Sequence, residues 1–349
     1  MSSSKSILKI STQNIYHMLI YVYEDLYNEE IEKQEDFFKQ LDGLMAELLI
    51  SGISRQLKRG LYKEYVRFEE PLSIIRGKID MHSSIKLKTQ VSRQLNCEYD
   101  EFNKDNLYNQ ILKSTCLFLM RQGRISQQKR KKLKDVLYFL NEVSEVSLRA
   151  VIWENIRFHK DKFAYRSLIG LCYIIYKGLV QDEETEKSYL NELAFSDLYE
   201  RFIQKFFVRE CTTLRLGYQG KYTKGEDRAS HLKNILTVDM LLTYKTHRLI
   251  VNTHCFVEVL EESKNSESKT FLINQISRLI GTVKRNKFNA RGYVSGMMLY
   301  PSVEMQYMEC YKIEEHEVYM GALNLTLPFE EIKRQLMSIG EFVRTSHQG

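Results

Sequence analysis

Asp239 and, thirteen positions on, the pair Asn252 and His254 are the residues whose types and spacing come nearest to a chemical centre in this chain. Thr237-Val-Asp-Met240 runs into a strand-like stretch, a turn is expected at Tyr244 to His247, and Leu249-Ile-Val-Asn-Thr-His254 reads as the returning strand. Residues two apart on a strand point the same way, so Asn252 and His254 share a face. Had this frame carried two acids and a lysine, the acids would hold Mg²⁺, a hard cation that takes oxygen ligands, and the lysine would help to position a water for phosphodiester hydrolysis. Here an amide stands in the second acid position and an imidazole in the lysine position. Asp239 can still serve as a metal ligand, or be a strand-end acid in a turn. Asn252 offers an oxygen without charge, which weakens the attraction for Mg²⁺. His254, with an ordinary pKa of about 6.5, is mostly neutral near pH 7 unless neighbouring phosphates raise it; the plainer reading is a strand histidine.

Other candidates surround this pair. Glu258 lies on the same strand face as His254 and would return a carboxylate, although four residues of strand carry it roughly 13 Å along the sheet. Gln275 sits on the following helix, where the plain reading is a solvent-facing residue. Lys284, Arg285, Lys287 and Arg291 suit contacts to DNA phosphates, or a solvated helix end favoured by the macrodipole. The run Lys129 to Lys134 reads first as a solvated face and second as a nucleic-acid patch. No GxxxxGK[ST] loop occurs, so this chain is not expected to bind or hydrolyse nucleotide.

The elements that must position these residues follow from periodicity. From 194 the pattern predicts a helix whose Phe195, Leu198, Tyr199, Phe202, Ile203, Phe206 and Phe207 keep to one face, which is core packing. Strands are expected at about 234–243, 247–259, 292–300, 305–313 and 317–325, with a helix at 270–285. The last helix follows Pro328, and its stripe Phe329, Ile332, Leu336, Ile339 and Val343 has the spacing of a face laid on a sheet. The first half reads as mainly helical: 12–27, then 36–59 closed by Gly60, a β-like patch at 61–80, an extended piece at 91–102, and helices at 105–122 and 126–143. Asn103 or Asp105 is expected to cap the third of these helices. Residues 166–179 are apolar nearly all round and predict a buried helix. A boundary near 160 divides 1–160 from 161–349. The class is α+β.

With 349 residues, 43% of them hydrophobic, the chain can build sizeable cores. Its net charge of +6 suits a polyanionic partner without requiring one. Six scattered cysteines without a CxxC pair read as buried small hydrophobes in a reducing compartment. No apolar run approaches the roughly 20 residues of a membrane span, and a cytoplasmic protein is expected.

Several further residues, in order along the chain, carry a resemblance. They are Asn14-Ile-Tyr-His-Met-Leu19 with Tyr21, Arg59-Gly-Leu61, Ile75-Arg-Gly-Lys-Ile-Asp80, Tyr99-Asp-Glu-Phe-Asn-Lys-Asp-Asn-Leu107 and Asn109-Gln-Ile-Leu-Lys113; the second half adds Asp239, Leu249-Ile-Val251, Gln275, Met298-Leu-Tyr-Pro301 and Asn324-Leu325. Over nearly its full length the chain resembles McrC, the nuclease subunit of McrBC-type restriction systems, and within that family the McrC-like components of type II restriction systems. The resemblance implies that residues 1–160 form a stalk engaging a ring of McrB-like AAA+ NTPase subunits. It implies that 161–349 form a PD-(D/E)xK nuclease-like domain, a mixed sheet flanked by helices, with an altered triplet at Asp239, Asn252 and His254 and with Gln275 near the centre. Mg²⁺ would be the cofactor, held at Asp239, and double-stranded DNA the substrate. The function implied is the coupling of an AAA+ ring to DNA cleavage against foreign DNA; the alternative is a non-catalytic coupling subunit whose cut is made by a further restriction subunit.

Overall fold

The computed structural model describes residues 9–33, 35–88, 94–158, 163–181, 188–219, 239–253, 266–288, 292–304 and 306–345. Helix α1 (Thr12–Val22) opens with the Ser11 side chain accepting from the Asn14 amide, and it ends before a single 3-10 turn at Glu24–Leu26, earlier than the expected residue 27. Helix α2 (Leu41–Arg59) is closed by Gly60 at φ 90°, and a 3-10 turn at Glu35–Phe38 precedes it where continuous helix is expected.

Strand β1 (Glu64–Leu72) pairs antiparallel with β3 (Leu95–Asn103), and the short β2 (Lys78–Ile79) pairs with the other edge of β3. Between β2 and β3 lies a helix not expected from the sequence, α3 (Met81–Lys88), whose first turn is capped by Asp80 accepting from the amides of His82 and Ser83 at 3.0 and 3.4 Å. Gly77 enters this region at φ 69°, and a side chain there would meet the Glu98 carbonyl at 2.4 Å, so only glycine fits the turn.

Helices α4 (Leu107–Gln122) and α5 (Gln127–Phe139) form the expected hairpin. The cap of α4 is Asn106, not Asn103 or Asp105. Asp105 is committed elsewhere, since it accepts from Gln110 and from the amide and hydroxyl of Ser144, while Asn103 accepts from the Asp105 amide. The buried α6 (Phe163–Tyr173) runs into a π turn at Ile174–Gly178 and a small hairpin, β4 (Leu179–Gln181) with β5 (Ser188–Leu190).

Helix α7 (Glu192–Glu210) buries the predicted aromatic face. A six-stranded mixed sheet follows, comprising β6 (Arg215–Gln219), β7 (Asp239–Tyr244), β8 (His247–Asn252), β9 (Val294–Ser302), β10 (Tyr307–Ile313) and β11 (His316–Asn324), in the order β10-β11-β9-β8-β7-β6. Strand β6 is absent from the sequence reading, being only five residues with a glycine at its centre. β8, β9 and β11 run parallel; the remaining neighbours are antiparallel. Helix α8 (Ser266–Phe288) crosses one face of this sheet between β8 and β9, and α9 (Phe329–Thr345) packs on the other together with α7. The class is α+β, as expected.

One continuous core runs from Ile10 through α2, α4, α6 and α7 to Val343, and a smaller cluster lies under α8 around Ile250, Leu279, Val283 and Met298. Helix α1 is drawn into the second half: Asn14 donates to the carbonyls of Leu325 and Leu327, both at 2.8 Å, and Lys9 pairs with Glu304 at 2.7 Å. Cys97, Cys116, Cys172 and Cys211 are buried as expected, but Cys310 is exposed because β10 is the outer strand of the sheet. No helix among the described residues is long and apolar enough to cross a membrane.

Candidate functional site

Hairpin β7–β8 turns over two residues, with Lys245 at φ 52°, and its pairing Met240 with Val251 leaves Asp239 and Asn252 each one step beyond, at the same level of the sheet. The row extends on both sides, since Asp239 pairs with Gln219 and Asn252 with Met298. Thus the two positions singled out from the sequence are brought together at the carboxyl end of β8. For Asp239 the description covers the backbone; position 239 has the strand parity of Leu241, which packs on the cluster under α8. Asn252 is buried, with 4% of its surface exposed, and shares the parity of Ile250 in the same cluster.

Gln275 comes to this level from above. Helix α8 lies close on β9 at Gly296, where a Cβ would stand 3.0 Å from Val283 and 3.1 Å from Leu279. Gly296 pairs with Ile250, so Leu279 marks the level of Ile250. One helical turn back to Gln275 covers about 5.4 Å, and two strand residues on to Asn252 and Met298 cover about 6.6 Å. The three residues therefore stand together between helix and sheet. Gln275 is not solvent-facing: it is buried, and its Oε1 has no hydrogen-bond partner.

His254, Glu258 and Arg291 lie outside the described residues. Lys284, Arg285 and Lys287 lie at the other end of α8, roughly 14 to 18 Å from Gln275 along its axis. Lys284 pairs with Glu314 at 2.6 Å, Lys287 donates to the Glu315 carbonyl at 3.5 Å, and Arg285 donates to Thr282 at 3.2 Å. These residues belong to the β10–β11 turn side of the sheet and are not assembled with Asn252. The run in α5 is divided: Arg130 donates to the carbonyls of Met120 and Gly123 at the end of α4 and Lys132 pairs with Glu47 at 2.9 Å, while Lys131 and Lys134 are exposed.

The donor set at the level of Asn252 is one carboxylate position and two neutral amides. Amide oxygens are acceptable to Mg²⁺ in kind, but they bring no charge, and no group of three or more His, Cys, Asp or Glu among the described residues could hold a metal. The described residues therefore do not fit the two-acid Mg²⁺ site implied by the resemblance. They do offer a buried, unsatisfied acceptor, Gln275 Oε1.

Residues 3–272 match the family described as McrBC 5-methylcytosine restriction system component. The chain belongs to this family. A relative from Escherichia coli (strain K12), the type IV methyl-directed restriction enzyme EcoKMcrBC, is 22% identical over 343 residues, covering 95% of this chain and 97% of the relative. Among solved structures, a half-complex from the tetradecameric assembly of Thermococcus gammatolerans McrB AAA+ hexamers with bound McrC aligns with a TM-score of 0.48 at 18% identity, over 92% of this chain and 76% of that one. The cryo-EM structure of the Thermococcus gammatolerans McrBC complex aligns with a TM-score of 0.43 at 22% identity, over 58% of this chain and 60% of that one.

Within this family member, residues that carried the resemblance prove to be structural. Asn109 donates to the carbonyls of Tyr62 and Lys104 and accepts from the Tyr165 hydroxyl, while Arg76 lies 4.2 Å over the Tyr99 ring. His17, Tyr21 and Phe329 stood out in the sequence, but the contacts by which they join α1 to α7 and α9 did not. Tyr21 donates to Glu210 at 2.7 Å, Lys333 pairs with Glu210 at 3.3 Å, and His17 stacks on Phe329 at 4.3 Å. No local signal marks such pairs, which stand far apart in sequence.

Proposed function

We propose that this chain is an McrC-like subunit of a DNA restriction complex, which couples an AAA+ McrB-like NTPase ring, through residues 1–160, to double-stranded DNA held by a PD-(D/E)xK-like domain at 161–349. The observation that carries the reading is the family match over residues 3–272, which spans both halves. The position of Asp239, Asn252 and Gln275 at one strand end is consistent with a restriction-nuclease frame. The small sheet adds support for a partner surface on the first half, since Tyr65, Ile74, Ile75, Met81, Ile85 and Phe102 are all more than half exposed there. The donor set favours a coupling role for this chain, with the cut made by another subunit, because a single acid position gives Mg²⁺ and the attacking water little electrostatic help.

The test uses the chain with its AAA+ partner and a restriction substrate. Asp239→Ala is expected to leave cleavage by the whole complex largely intact; complete loss of cleavage by a variant that still folds and still stimulates the ring would make this chain the cutter. Replacing Ile74 and Ile75 by Ser is expected to abolish stimulation of the partner without unfolding the chain. This surface change is preferable to deleting 1–160, because α1 contributes Ile15, Met18 and Leu19 to the common core.

A further inference from the structure

Helix α1, the segment after it, the end of α7 and the start of α9 line a cavity of about 710 Å³, open to solvent, on the seam between the chain's two ends. That volume lies within the range of specific ligand sites, roughly 300–1,000 Å³. We infer that this seam cavity is a docking site for an arginine side chain carried by a partner protein.

Charge selects the occupant. Two cations, Arg209 and Lys333, line the cavity, and both lie beside Glu210, at 3.7 and 3.3 Å, whose single carboxylate offsets one of their two charges. Glu24, Glu32 and Glu330 also line it, and none of them has a cationic side chain in a salt bridge among the described residues. Burial holds the His17 imidazole below its usual pKa, so it supplies no positive charge near neutral pH. The surplus is negative, which disfavours a phosphate and favours a cation. Nor do these acids converge into a group able to hold a metal, so the cation is organic.

The lining also has the shape for a guanidinium. The Tyr27 hydroxyl donates to Glu32 at 2.8 Å, fixing a ring face and a carboxylate side by side. On the neighbouring wall the Arg209 guanidinium already lies 5.1 Å from the Tyr21 ring centroid. A planar guanidinium can stack on such a ring and reach a carboxylate with its fork, whereas an ammonium is a point charge. The cavity is several times larger than one side chain, which leaves room for the backbone that carries it.

The test reads the His17 ring signal by NMR in the full-length chain, assigned by its loss in His17→Gln, and does not use cleavage, so it stands apart from the nuclease reading. The probe is an acetylated, amidated Gly-Gly-Arg-Gly-Gly peptide, compared with the same peptide carrying citrulline and with spermidine. The expected result is saturable binding of the arginine peptide, weakened about fivefold or more by citrulline and by the Glu32→Gln/Glu330→Gln pair. Thermal unfolding checks that the variant folds; if it does not, the exposed Glu24→Gln carries the same comparison. Absence of binding, equal binding of citrulline, or indifference to the carboxylate variants would overturn the proposal. Equal or tighter binding of spermidine would also overturn it, by giving the cavity to a free polyamine.

Discussion

A buried carbonyl oxygen with no donor costs about 1–3 kcal/mol, and Gln275 carries such an oxygen. Gln275→Met keeps the volume and removes the orphan, so the isolated chain is expected to be as stable as before or more stable by about 1 kcal/mol. A urea titration showing a clear loss would mean that the oxygen is satisfied. Asn14 presents the opposite case, with both amide hydrogens used on the carbonyls of Leu325 and Leu327. Asn14→Ala leaves two acceptors bare and is expected to cost about 2 kcal/mol or more, measured in the same way; an unchanged midpoint would remove α1 from the joint. Both residues stood out in the sequence, but to different depths. The sequence reading left Gln275 open between the centre and solvent, although its i+4 spacing with Leu279 and Val283 marks the apolar side of α8, whereas the partners of Asn14 lie 311 and 313 residues away.

Within the elements, charge is spent on joints that sequence pattern does not reveal. The spacing of Leu133 and Val136 shows which face of α5 is buried, yet the same stretch reads equally as a solvated basic face. Its actual use is local. Arg130 satisfies the last carbonyls of α4, Lys132 answers Glu47 of α2, and Lys131 and Lys134 face outward. Arg130→Ala is therefore expected to destabilise by about 1–2 kcal/mol through loss of charge-assisted bonds at a helix end. The double change Lys131→Ala/Lys134→Ala is expected to stay within about 0.5 kcal/mol. Equal effects on thermal unfolding would contradict this division. The same logic explains α3 and β6. Each is short, with weak apolar periodicity, and each is specified by what it meets: Asp80 capping α3, and β7 pairing with β6. Long periodic elements such as α7 and α9 were legible because their buried stripes repeat over about three turns.

At the scale of the whole molecule, chain order and spatial order part company, because α1 packs on α7 and reaches the segment after β11 through Asn14. Glu210 is the hub of that closure, receiving Tyr21 from α1 and Lys333 from α9, with Arg209 alongside. Burial alone would raise its pKa, but the bonds from Tyr21 and Lys333 and the charges of Lys333 and Arg209 outweigh burial and hold it below the ordinary 4.5. A carboxyl depressed on folding stabilises the native state above its unfolded pKa, and that contribution is lost as pH falls through the lower folded value. Stability is therefore expected to decline as pH is lowered below about 4.5, with Glu210 contributing to the slope. Glu210→Gln should be less stable than the parent at pH 7 and should lose stability less steeply in that acid range. Urea midpoints measured between about pH 7 and pH 3 separate the outcomes: converging curves place the proton-linked closure at Glu210, and parallel curves would move it to other carboxylates such as Asp105, whose bonds from Ser144 and Gln110 also hold it below its usual value against the opposing effect of burial.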